Sequence, residues 1–155
     1  MDAKNRTELL QKYRTGHQAV VDSLANLRDD ELDRSAVADE WTPRQIVHHI
    51  ADSEMTAAIR LRRLVAEDDP QILGYDEKQF ASVLTRDRPI TPSLEAVHWA
   101  RESTLQILER LSEHEWRRAG THSELGPYSV EKWLEIYAAH CHDHAAQIKR
   151  SRGIA

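Results

Sequence analysis

The stretch Tyr128–Arg150 constrains this chain more than any other. At 3.6 residues per turn, Val130, Trp133, Leu134, Tyr137, Cys141, Ala145 and Ile148 fall on one broad apolar stripe, the mark of a helix packed against a core. Ser129 stands where its N-cap is expected. His140 and His144 lie inside the stripe, four residues apart, so their imidazoles stack on one face. Two such rings on the buried side of a helix cost free energy unless each finds a partner. Nearby carbonyls are one kind of partner. A metal ion is the other, since histidines at this spacing can reach one ion together.

The rest of the chain supplies helices to bury that stripe. Leu9, Leu10, Tyr13, His17, Val20, Val21, Leu24 and Leu27 recur at three and four residues, which predicts a first helix over about Asn5 to Leu27 with His17 at its edge. A polar connector, Asp29–Glu40, follows. Trp41-Thr42-Pro43-Arg44-Gln45 then reads as a helix start, with Thr42 as N-cap, Pro43 in the first turn, Gln45 completing a capping box and Trp41 stapling against Ile46. This second helix runs to about Glu67 with Ile46, His49, Ile50, Ser53, Ala57, Leu61 and Leu64 inward. A long crossover, Asp68–Phe80, is broken by Pro70 and Gly74 and leads into a short helix from about Asp76 to Leu84. Thr91-Pro92 repeats the cap-then-proline start of a third long helix, expected to reach Leu111 with Leu94, Val97, His98, Arg101, Leu105, Leu108 and Leu111 near one face. Ser112 and Glu115 form a capping box for one short turn, and Gly120, Gly126 and Pro127 mark an exposed loop. Arg150–Ala155 reads as a tail. No series of strands is expected. The fold class is all-α, a four-helix bundle in one domain over 1–155, and the long crossover after the second helix argues against a plain up-down series.

Composition narrows the partners. A formal charge of −5 argues against a basic nucleic-acid surface. No apolar run approaches the roughly 20 residues of a membrane span, and the N-terminus lacks an apolar leader core, so a cytoplasmic address is expected. The single Cys141 excludes an intramolecular disulfide and a cysteine-rich zinc site. A transition metal would therefore rest on histidines and carboxylates. Antiparallel packing of the second and last long helices would bring His49 level with His140 and His144. Three neutral imidazoles leave a tetrahedral ion one open position, the arrangement of a catalytic rather than a closed structural site. Zinc is the expected ion, with nickel the alternative.

At these residues the chain resembles the DinB/YfiT superfamily of metal-binding four-helix bundles. The matching pieces are Trp41-Thr-Pro-Arg-Gln-Ile-Val-His-His-Ile-Ala-Asp-Ser53 and His140-Cys-His-Asp-His-Ala-Ala-Gln-Ile148, and Tyr75-Asp-Glu-Lys78 looks like the YfiT branch. The resemblance spans most of the chain and is weakest in the first helix and in Arg118–Leu125. It implies a metal held by His49, His140 and His144. It also implies a metal-dependent hydrolase, or transfer of a low-molecular-weight thiol (bacillithiol, with mycothiol or glutathione in related bundles) onto electrophiles. Thiol transfer through a metal-activated thiolate is the preferred expectation, because a thiolate attacks soft electrophiles better than water does. Hydrolysis by activated water and a non-catalytic metal-binding bundle are the alternatives.

Other residues carry weaker expectations. Asp52, one turn after His49, and Asp143, one turn after His140, are possible acceptors that orient imidazoles. Asp52 or Glu54 would move protons in a hydrolase. Arg60, Arg62 and Arg63 could bind the carboxylates of a thiol co-substrate, against the plainer reading of a solvated charged face; of these Arg60 and Arg63, with Tyr75, are the cofactor-binding candidates. Tyr75 and Tyr128 would line the mouth of a cleft. His48 is expected to be exposed or to support a ligand, His142 to face away, and Cys141 to be a small buried thiol. Trp99 and Trp133 are expected in the core. Small-molecule substrates are expected, and apolar helix flanks suggest a homodimer.

Overall fold

The computed structural model describes residues 1–154; Ala155, the end of the expected tail, lies outside the described residues. Four long helices form the body: α1 (Ala3–Ser23), α2 (Pro43–Ala66), α4 (Thr91–Leu108) and α6 (Val130–Ser151), with the shorter α3 (Glu77–Leu84) and α5 (Glu113–Trp116) between them. Thr42 caps α2 in the predicted reciprocal box with Gln45. Ser112 does the same for α5, and Asp76 and Ser129 cap α3 and α6. Thr91 is not the cap of α4. It is the first helical residue, after an Ile90 that makes no side-chain cap bond. Three ends fall earlier or later than the periodicity predicts. α1 stops at Ser23 because the chain turns through Asn26 at φ 62°, and α4 stops at Leu108 as the Ser112 cap starts the next turn. α6 takes in Arg150 and Ser151, part of the expected tail.

The helices pack as a square in which α1 touches α6 and α4, and α2 touches α4 and α6. Sequence neighbours α1 and α2 therefore stand on a diagonal, as do α4 and α6, so the bundle is not an up-down series. Its core is divided in two. One cluster holds Tyr13, Leu61, Leu64, Leu105, Leu108, Trp133 and Leu134; the other holds Val20, Ile46, Ile50, Val97, Ala145 and Ile148. Between them every long helix places an atypical residue: Gly16 on α1, Glu54 on α2, Arg101 on α4, and His140 with Cys141 on α6. Trp133 is fully buried, its indole N–H donating to the Ala57 carbonyl at 2.9 Å. Trp99 is not a core residue. It stands two positions from the buried Val97, about 200° around the helix, and is 64% exposed.

The sequence pattern misses a small sheet. β1 (Gln71–Ile72) runs parallel to β2 (Ala119–His122), which pairs antiparallel with β3 (Gly126–Ser129) in a hairpin. The expected Gly120–Pro127 loop is thus mostly strand. Runs of two to four residues containing Gly and Pro carry no alternating signal long enough to read. Gly120 is required where β2 meets the crossover, because a Cβ there would lie 2.2 Å from the Pro70 carbonyl oxygen. The sheet pins the crossover against the bundle and so fixes Tyr75 and Glu77, which follow β1.

Gly16 lets α1 approach the polar layer. A Cβ on it would meet Arg101 Nη2 at 2.7 Å and Cys141 Cβ at 2.9 Å, and the second atom is fixed to the α6 backbone. We predict that Gly16→Ala destabilises the protein by roughly 1–3 kcal/mol, despite the better helix propensity of alanine, as measured by urea unfolding; equal or higher stability would contradict this packing.

Candidate metal centre

α2 and α6 run antiparallel, and side chains pair along them in falling register: His49 with His144, Ser53 with His140, Ala57 with Trp133. The Thr42–Pro43 start places His49 near the beginning of α2, and Trp41 packs its ring 4.9 Å from the His49 ring while contacting the cluster that contains Ile46. His49 Nε2 lies 3.1 Å from His144 Nε2, and His140 Nε2 lies 3.4 Å from Ser53 Oγ. One ring nitrogen from each of the three histidines falls within 4.8 Å of the others. Together they form one wall of a cleft of about 420 Å³ also lined by Asp39, Glu40, Trp41, Glu77 and Gln147.

Electrostatics keep these rings uncharged. Burial lowers His49 to about 4, with nearby His144 adding to it. Burial also holds His140 well below its ordinary value, helped by His144, His49 and Arg101. His144 is lowered by burial against the opposing pull of Gln147 and Asp143. Neutral imidazoles keep a free lone pair. A hydrogen bond between His49 and His144 accounts for that pair alone and leaves the Nδ1 atoms of His49 and His140 buried without partners. The donor set of three neutral nitrogens fits a divalent transition ion.

The DinB superfamily model matches residues 12–148. The chain belongs to the DinB superfamily. A DinB relative from Oceanobacillus iheyensis, named as a candidate metal-dependent hydrolase, is 36% identical over 126 residues, 81% of this chain and 73% of its own. One from Bacillus licheniformis with the same kind of name is 33% identical over 139 residues, covering 83% and 74%. Among solved structures, YfiT from Bacillus subtilis, described as a candidate metal-dependent hydrolase with an unusual four-helix bundle topology, superposes with a TM-score of 0.90 at 24% identity. That match covers all of this chain and 91% of YfiT, and the diagonal helix order is thus a shared fold.

Within this DinB bundle the other expected site residues divide. Asp52 makes no hydrogen bond to an imidazole; its Oδ2 is buried and unpartnered, and burial raises its carboxyl against the opposing pull of Arg88 and His48. Asp143 is exposed and bonds to no histidine. His48 is not exposed but 1% accessible, turned away from the cluster to Ser93 Oγ at 2.8 Å and the Arg88 carbonyl at 3.2 Å. His142 faces away, bonding the Lys12 carbonyl on α1 at 2.9 Å, and Cys141 is fully buried. Arg63 is held by Glu67 and the Gln71 carbonyl, and Arg62 by Ser103 and Thr104. Arg60 differs. With Tyr75, Tyr128, Tyr137, His122 and Glu124 it lines a second pocket of about 200 Å³, and Glu77 belongs to both pocket and metal cleft.

Four participants were not legible as such. Gln147, three residues after His144, bonds its Nδ1 at 2.7 Å. Glu77, Glu40 and Asp39 reach the cleft from the crossover and the first connector, whose paths no helical period reports. The Glu54–Arg101 ion pair had a signal: each charge interrupts the apolar stripe of its own helix.

The neutral histidines set the acid limit of the metal-free protein. In the unfolded chain they protonate near pH 6.5, while the folded state resists, so the unfolded state binds more protons as pH falls. For His49 the stability conferred above pH 6.5 is therefore lost between about 6.5 and 4, by up to ~1.4 kcal/mol per pH unit, and His140 and His144, lowered in the same direction, add to the loss below 6.5. Urea midpoints across that window check it, and His49→Asn should flatten the slope.

Proposed function

We propose that this protein is a metal-dependent hydrolase in which His49, His140 and His144 hold one divalent ion and Glu77 is the general base. The observation that carries this is a cleft with three uncharged imidazoles on one wall and carboxylates at its rim, Glu77 among them. Bound there, such an ion supplies Lewis acidity to a substrate oxygen and lowers the pKa of a nucleophile. Glu77 is exposed at the rim and has no ion-pair partner among the described residues. Desolvation against the cleft wall lifts its carboxyl, opposed by Arg60 and aided by Glu124, which moves it toward the range in which a base works at neutral pH. Glu54, paired with Arg101 and 1% exposed, is excluded from that role by its burial. Tyr75, pushed up to about 12 mainly by burial, keeps its proton and serves as a donor. Trp41 covers one side of the cleft and limits water there.

A second reading, transfer of a low-molecular-weight thiol onto an electrophile, draws on the adjoining pocket. Arg60 there is oriented by the Tyr137 hydroxyl at 3.2 Å and the Leu73 carbonyl at 2.6 Å, and its Nε is buried without a partner. With Tyr75 it could anchor the carboxylate of a co-substrate reaching the metal cleft past Glu77. Hydrolysis ranks first because Glu77 gives it a base.

The deciding experiment measures metal content of the untagged protein. It then compares hydrolysis of ester, amide and phosphoester panels with conjugation of bacillithiol, mycothiol or glutathione to monochlorobimane. Expected are about one ion per chain, lost in His140→Ala with helicity retained, and hydrolysis that falls roughly 10²–10⁴-fold in Glu77→Gln while the ion stays. Conjugation without hydrolysis would select the second reading. Stoichiometric metal in His140→Ala would overturn the ligand set.

A further inference from the structure

The bundle buries a charge pair where its two apolar clusters meet, and neither helix stripe needs it for packing. Glu54 is 1% exposed and Arg101 3%. Buried ion pairs are weak sources of stability, because desolvating two charges offsets their attraction, and apolar residues of similar volume often replace them at no loss. The pair therefore calls for another reason. Arg101 is fixed on every side: it donates to Glu54 Oε1 and to the Tyr13 carbonyl, approaches the Tyr137 carbonyl at 3.4 Å, and lies 3.8 Å over the Tyr13 ring. Glu54 is thus clamped at a set position. Beyond Arg101 the Cys141 thiol lies 3.4 Å from Oε1, and Oε2 is buried without a partner.

A second unpartnered group lies beside Glu54, nearest to the oxygen that Arg101 holds. His140 Nδ1 is buried, makes no hydrogen bond, and lies 3.9 Å from Glu54 Oε1, while its Nε2 points to Ser53 and the cleft. Closing that gap to a hydrogen bond needs about 1 Å. The neighbouring ligand candidate already has the finished arrangement, His144 Nδ1 on Gln147 Oε1 at 2.7 Å with Nε2 turned to His49. Burying an imidazole N–H without an acceptor is costly, and Glu54 is the acceptor within reach.

We infer that Glu54, clamped by Arg101, is a positioning residue for His140: it accepts a hydrogen bond from Nδ1–H and so presents the Nε2 lone pair to the cleft. A partner of this kind fixes ring orientation and raises ligand basicity, and its loss weakens metal binding about 10–100-fold. The effect on affinity rests on the metal reading above; the choice of tautomer does not.

The test uses the whole protein and two readouts. Long-range ¹H–¹⁵N spectra of the metal-free wild type report which ring nitrogen of His140 is protonated, and a chelator-competition titration with zinc alone reports affinity. Expected are an Nδ1–H tautomer in the wild type, and in Glu54→Met/Arg101→Met, which keeps the volume and removes both charges, loss of that preference with 10–100-fold weaker zinc binding. Glu54→Gln/Arg101→Met, which leaves an amide oxygen as acceptor, should recover part of both. A double Met variant with wild-type tautomer and wild-type affinity would overturn the inference. Should that variant not fold, the wild-type spectrum decides, since a His140 protonated at Nε2 is incompatible with it. A wild type that binds no zinc yet shows the Nδ1–H tautomer would sink the metal reading and leave Glu54's role standing.

Discussion

The antiparallel register between α2 and α6 is the constraint on which the site depends. It is set at three levels along the helix pair. The Trp133 indole is bonded to the Ala57 carbonyl inside one core cluster, Ser53 meets His140 in the middle, and His49 meets His144 beside the second cluster. A shift of one turn, about 5.4 Å along the axis, would leave His49 level with at most one of the two α6 histidines and break the indole bond. Because Trp133 is fully buried, that shift would also leave a large cavity in the core. Packing at one end of the helix pair thus fixes imidazole geometry at the other.

The polar layer between the clusters depends on the same register. Each long helix contributes one atypical residue to this level, Gly16, Glu54, Arg101 and His140, with the Cys141 thiol beside them. Glycine at the first position is what lets the guanidinium lie under α1 and donate to the Tyr13 carbonyl. A bundle with four continuous apolar stripes would bury more surface, but its charges could pair in no preferred register. With this layer a slipped packing strands a carboxylate or a guanidinium in an apolar core, which costs several kcal/mol. The layer therefore serves register as well as His140.

The fold and the histidine cluster were legible because both are written in helical periods. Caps at Thr42, Ser112 and Ser129 and the spacing His140-x-x-x-His144 involve residues that stay close along one helix, so local chemistry determines them. What the periods could not carry is where connectors go. His48 illustrates the limit: the 100° offset from His49 correctly turned it from the cluster, but burial followed from the α4 start with Ser93 and the Arg88 carbonyl, distant in sequence. Asp52 and Asp143 fail for a related reason. A one-turn offset along the same helix places a carboxylate beside its histidine, whereas Glu54 and Gln147 approach the ring nitrogens from where those atoms actually point. The strands were hidden because two to four residues with Gly and Pro give no alternation to detect.

Those connectors decide the chemistry, and the sheet is the means. β1 is only two residues long, yet its pairing with β2 is continued by backbone bonds from Thr121 to the Pro70 carbonyl and from Ser123 to the Ile72 carbonyl, so the crossover is held on both sides of the strand. The chain then leaves β1 through Leu73, whose carbonyl accepts from Arg60 on α2, and reaches Tyr75 and Glu77 within one short segment. A free crossover of this length would spread Glu77 over many positions and lose the benefit of a preset base. Tied at β1 and again at the Asp76 cap of α3, it delivers one carboxylate to the shared edge of two pockets. The helices supply neutral nitrogens and the crossover supplies a carboxylate.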